Sequence, residues 1–199
     1  MIPALSWFAI VRIGLVQTAI GAIVVLTTST LNRVMVVEIG LPALVPGLLV
    51  TLHYAVQVLR PRWGHGSDGG RRRTPWIIAG MGLLALGGAL AAVATVLMET
   101  NLPMGLALGA FAFLLIGIGV GAAGTSLLTL LAERVDPARR APAATIVWTM
   151  MIMGFAVTAI TAGKALEPFS SQRLILVTSV VSVIAFIVAC IAIAGVEKI

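Results

Sequence analysis

The sequence predicts an all-α transmembrane protein, and three observations carry that prediction. The first is composition. Of the 199 residues, 60% are hydrophobic and 10% charged, against roughly 45–50% and about 25% in a soluble domain. Too little polar surface remains to face water. The second is that the apolar residues fall in long unbroken runs. A barrel strand alternates apolar with polar, whereas runs near the roughly 20 residues that cross hydrocarbon as a helix argue helices. The third is where the charge lies. The net charge of +6 gathers in two short loops between apolar runs. That pattern belongs to membrane topology, not to a nucleic-acid-binding face.

Six spans are expected, at about 10–31, 43–59, 76–98, 104–131, 143–162 and 174–195, making one membrane domain over 1–199. Span one opens at Ile10 with Arg12 near its start. No basic region precedes it and no small-residue cleavage site follows, so it is expected to be its own uncleaved insertion signal. Its far end is polar, with Thr27, Thr28, Thr30, Asn32 and Arg33. The helix is expected to run on toward Glu38 before Gly40, Pro42 and Pro46 break and restart the chain. Span two carries His53 and Gln57. The arginine-rich loop from Arg60 to Trp76 follows. Spans three and four are rich in glycine, notably Gly105, Gly109, Gly117, Gly119, Gly121 and Gly124. Glycine lets helix backbones approach where lipid gives little hydrophobic drive to associate. The second polar loop holds Glu133, Asp136, Arg139 and Arg140.

Ten of the thirteen basic residues fall on one side of this arrangement, and Arg33, Lys164 and Arg173 on the other. The positive-inside rule puts the rich side, and with it both termini, in the cytoplasm. Trp7, Trp63, Trp76 and Trp148 sit near expected boundaries as interfacial anchors. The single Cys190 rules out a disulfide framework. No serine–histidine–aspartate set, phosphate loop or metal-spaced ligand cluster occurs in the sequence. No enzyme activity is therefore expected, and no catalytic or metal-ligating residue is assigned. Spans one to three correspond by count to spans four to six, without residue-level self-similarity.

Within the first loop, Gly64, Asp68, Arg72 and Arg73 resemble the signature loop of the major facilitator superfamily. The match is partial: Gly66, Gly69 and Arg71 stand where leucine, arginine and glycine are usual. In this reading the aspartate caps the start of the next helix and accepts bonds from arginines. Longer stretches are narrower in their likeness. Residues 13–38, 53–64 (HYAVQVLRPRWG), 72–76 (RRTPW), 117–126 (GIGVGAAGTS) and 144–151 (ATIVWTMM) resemble the bacteriochlorophyll delivery, or PucC-type, branch of that superfamily. The resemblance covers this whole chain and the first half of a twelve-span protein, so it implies the six-helix half of a major-facilitator-type fold. It further implies an accessory or assembly protein of a light-harvesting or reaction-centre complex that binds or delivers bacteriochlorophyll. Antenna or reaction-centre subunits and lipids would be its partners, in a bacterial inner, photosynthetic intracytoplasmic membrane. The alternative is a half-size solute transporter acting as a dimer.

Five residues are expected to touch pigment or partner. Asn32, Arg33 and Glu38 either line a cavity or contact a partner's polar edge, or else Arg33 snorkels to the headgroups. Arg33 and Glu38 lie five apart and are not expected on one helical face. His53 and Gln57, at i and i+4, share a face. A neutral imidazole there either ligates the magnesium of a chlorin or bonds to a neighbouring helix.

Overall fold

The computed structural model describes residues 5–61 and 72–198. Its helices lie over the apolar runs, with ends set by local capping. The first, α1, runs unbroken from Trp7 to Glu38, and Ser6 accepts a bond from the amide of Ala9 at its start. α2 spans Leu44–Val56 and tightens into a 3-10 turn at Gln57–Leu59. α3 is Thr74–Thr100 and α4 is Leu102–Arg134. They are separated by Asn101 alone, whose side chain caps the amide of Met104 at 3.1 Å. A 3-10 turn at Pro137–Arg139, capped by Asp136, leads into α5, Arg140–Ala165. Ser170 caps α6, Ser171–Ile193. Gly195 follows with φ of 75°, a left-handed conformation that favours glycine.

α1, α3, α4, α5 and α6 are each long and apolar enough to cross a bilayer, so the chain is an all-α transmembrane protein. α2 and its turn, Leu44–Leu59, are shorter. The helices start and end two or three residues outside most of the expected boundaries, because serine, asparagine and proline caps lie in the polar flanks of each run.

α3 packs along α4, α1 along α5, and α6 bridges α3 and α1, while α2 lies on α4. Exchanging α1 with α4, α2 with α5 and α3 with α6 turns the α1–α5 pairing into α4–α2. The same exchange turns α3–α4 into α6–α1 and returns α3–α6 to itself. The packing thus carries the three-plus-three relation suggested by the span count. Helix backbones meet at glycine. A Cβ on Gly119 would lie 2.6 Å from the carbonyl oxygen of Gly80, and one on Gly117 2.6 Å from that of His53. The most apolar window of α1 is 67% buried and that of α5 only 22%. α1 is therefore the core of the bundle. α5 and α6 form a flank, with Ile152, Val157, Val180, Ile184 and Ile187 turned outward.

The two ends of the bundle differ. One gathers the N-terminus, the start of α3, the end of α4 and the last turn. There Arg12 donates to the carbonyls of Ile191 and Ala194, and Arg139 to that of Leu5. The Arg139 guanidinium also lies 5.5 Å from the centre of the Trp7 ring. The other end gathers the polar end of α1 and the α5–α6 turn. There Ser171 donates to Glu99.

Candidate functional site

A small cavity of about 220 Å³ opens between α1, α2, α4 and α5, lined among others by Gln17, His53, Gln57 and Trp148. His53 is 1% exposed. Its Nε2 lies 2.9 Å from Nε2 of Gln57, the i, i+4 contact that the sequence spacing implies. Gln57 Oε1 in turn accepts from Arg60. Only the amide nitrogen of Gln57 is then left to face the histidine, so His53 Nε2 accepts and the ring proton sits on Nδ1. That Nδ1 is buried without a hydrogen-bond partner among the described residues. Sequence reasoning missed Gln17, a buried amide that donates to the sulfur of Met151 at 3.2 Å and ties α1 to α5. Its signal was a lone amide in the middle of an apolar run.

This arrangement does not fit magnesium ligation by His53. The Nε2 lone pair is taken by Gln57, and the cavity is smaller than the roughly 300–1,000 Å³ of ordinary ligand sites. A macrocycle fits no such space. The outward face beside it is open and apolar, with Tyr54 and Val58 exposed.

The polar end of α1 lies apart from this cavity and lines another, of about 530 Å³, against the end of α5. The expectation that Arg33 and Glu38 occupy different faces is corrected here. Arg33 Nη1 lies 3.4 Å from Glu38 Oε1. The cause is local: Leu26–Thr30 and Val34–Glu38 are π-helical turns, and the amide of Ile39 bonds to Val34 O, five residues back. A turn widened by about one residue brings i and i+5 into line. Asn32 donates to Thr28 O at 2.8 Å, within its own helix.

At the arginine-rich end the structure joins three distant segments. Arg73 is nearly buried and forms two bonds to Glu133, Nε to Oε2 at 2.9 Å and Nη2 to Oε1 at 2.6 Å. Such paired, charge-assisted bonds fix orientation as well as energy. Glu197 places one carboxylate oxygen on the amide of Arg73, at 2.6 Å, and the other on that of Thr74, at 2.9 Å. These are orphan donors at the start of α3, where a negative charge is favoured. Helix capping was expected of Asp68, which lies outside the described residues, as do Gly64 and Trp63. Arg72 is exposed beside the same helix start. Glu133, from the second loop, thus takes its partner from the first.

Burial pushes the Glu197 carboxyl up, but its bonds to Thr74 and Arg73 and the nearby Arg134 guanidinium outweigh that and hold it below the ordinary value. A carboxyl lowered on folding adds stability that is complete above its unfolded value of about 4.5. That stability disappears as pH falls through the lower folded value. Glu197→Gln is therefore expected to flatten the acid limb of a thermal-stability profile as pH falls below about 4.5. An unchanged acid limb would show that the cap carries no weight.

Fold and site together define a multi-pass all-α membrane protein whose ionic groups tie its helix ends to one another. Residues 30–199 match the family described as PUCC protein, and the chain belongs to the PucC family. It is 54% identical over 194 residues to the bacteriochlorophyll synthase 44.5 kDa chain of Rhodobacter capsulatus, covering 98% of this chain and 45% of that one. It is 32% identical to Protein PucC of Cereibacter sphaeroides, over 89% of this chain and 41% of the relative. Protein PucC of Rhodovulum sulfidophilum is also 32% identical, over 83% and 39%. The chain thus spans less than half the length of the curated relatives it matches.

Proposed function

We propose that this chain is part of a membrane accessory protein for assembly of a photosynthetic complex, and that it handles bacteriochlorophyll or antenna helices without catalysing pigment synthesis. The observation that carries this reading is its kinship: the PucC family match over 30–199 and the relatives named Protein PucC, while the 54% identical relative's name ties the family to bacteriochlorophyll. The geometry is compatible in a particular way. The ionic groups Arg73, Glu133 and Glu197 are bonded to one another's segments and so serve architecture. The flank of α5 and α6 offers broad apolar surface of the kind that packs on lipid, on a pigment ring or on a partner helix.

In this reading the arginine-rich end faces the cytoplasm, and the membrane is the photosynthetic intracytoplasmic one. The chain forms a membrane domain of six apolar helices, as the six-helix half of a major-facilitator-type fold would. Pigment would rest on the lipid-facing surface and not in the His53 cavity. His53 and Gln57 then hold their helix in place, Asn32, Arg33 and Glu38 form the polar end of α1 apart from the pigment, and the Gly64–Arg73 loop orients the chain.

The test is purification of the tagged chain from a bacteriochlorophyll-producing host. Absorption in the bacteriochlorophyll bands and co-migration with antenna or reaction-centre subunits are expected. His53→Leu should leave the amount of bound pigment unchanged. Loss of pigment in that variant would make the imidazole a ligand. Solute uptake by pigment-free vesicles, with no antenna association, would replace assembly by transport.

A further inference from the structure

We propose that the cavity between the end of α1 and the end of α5 binds a phospholipid headgroup that carries both a phosphate and a primary ammonium. The proposal is independent of the assembly reading. The cavity, about 530 Å³, is lined by Ser29, Thr30, Arg33, Glu38, Gly163 and Glu167 among others. That size is within the range of small-molecule sites. It lies at an end of the bundle, the level at which headgroups meet a spanning helix.

Three features point to a zwitterion. The first is the backbone. π-helical turns make up well under 1% of residues in ordinary proteins and gather at functional sites. Here two of them flank Leu31–Arg33 and set Glu38 beside Arg33. The second is charge. The cavity holds one guanidinium and two carboxylates. Glu38 takes one edge of Arg33, whose side chain remains 65% exposed and can present its other N–H groups to a phosphate. The Glu167 carboxylate has no hydrogen-bond or ion-pair partner among the described residues, so it is open to an ammonium. The third is the hydroxyls. Thr27 and Thr28 turn theirs back onto helix carbonyls, while Ser29 and Thr30, whose hydroxyls form no bond to the described residues, line the cavity. A primary ammonium has three N–H donors for such a set. A quaternary one has none.

Gly163 supplies a clean control. A Cβ built there meets nothing within 4 Å, so a larger side chain on this lining residue starts into open space, and replacing a helical glycine favours the helix.

Delipidated protein in detergent is titrated with phosphatidylethanolamine, phosphatidylcholine or phosphatidylglycerol of equal acyl length, and bound lipid is read by native mass spectrometry. Phosphatidylethanolamine is expected to bind about tenfold more tightly than either other lipid, the effect of one charge-assisted bond set. Glu167→Gln and Gly163→Leu should each erase that preference. Lys164→Gln, outside the cavity, should keep it, and Gly163→Leu should melt no lower than the parent. Equal binding of the three lipids, or a preference that survives Gly163→Leu, overturns the site. Soluble phosphoethanolamine failing to displace the lipid identifies the lipid as the ligand. Displacement at equal concentration would assign the cavity to a free headgroup compound and overturn the lipid.

Discussion

Gly119→Leu is expected to cost about 3 kcal/mol or more of stability. A Cβ at this position would lie 2.6 Å from the carbonyl oxygen of Gly80, 2.6 Å from the amide nitrogen of Leu84 and 2.9 Å from its Cα. All three are backbone atoms of α3 and cannot rotate aside. Inserting bulk into a packed interior costs about 1–3 kcal/mol, occasionally more, even where side chains can adjust. Here two helix axes must separate, and in lipid their close backbone packing is itself the force that holds them together. The measurement is denaturant unfolding in mixed micelles, followed by circular dichroism. Gly124→Ala is the matching control, because a Cβ there meets nothing within 4 Å. It should be neutral or stabilising by up to about 1 kcal/mol through helix propensity. Equal behaviour of the two variants would mean that backbone proximity of α3 and α4 is not what the bundle depends on.

Arg73→Ala is expected to destabilise by about 2 kcal/mol. It removes the paired bonds to Glu133 that join the start of α3 to the end of α4. Hydrogen bonds to charged groups contribute about 1.5–3 kcal/mol, whereas exposed ion pairs contribute about 0–1. The Arg73 side chain is 9% exposed and that of Glu133 53%. Water therefore re-solvates the carboxylate once the guanidinium is gone, and the loss falls between those limits. Arg73→Lys should lose about half as much, since the charge stays and the planar fork does not. If lysine and alanine are equivalent, the fork geometry is irrelevant. If both are silent, the pair does not hold the two helix ends together.

The span-forming runs were legible because hydrocarbon demands length and apolarity, and both are written along the chain. The helix starts capped by Ser6, Asn101 and Ser170 fell two or three residues outside the expected spans, because hydropathy marks the apolar run and each cap lies in its polar flank. The His53–Gln57 contact followed from i, i+4 spacing. Other features were hidden for physical reasons. A period of 3.6 sets Arg33 and Glu38 on different faces, and π-helical turns change the period beneath them. Glu197 reaches the amide of Thr74 across 123 residues of sequence, which no spacing rule anticipates. The buried Gln17 stood in plain view, but a lone amide in an apolar run does not announce which helix it faces.

The sequence by itself determined the solvent, the helices and the asymmetric placement of charge, because each depends on residues that are neighbours along the chain. Only the tertiary structure decided that α1 is the core while the similarly apolar α5 forms the flank. In a bilayer the inner and outer faces of a helix are both hydrocarbon, so apolar periodicity carries no mark of which side is covered. The same holds for the clasp of Arg73, Glu133 and Glu197, in which folding sets three distant charges against one another at one end of the bundle.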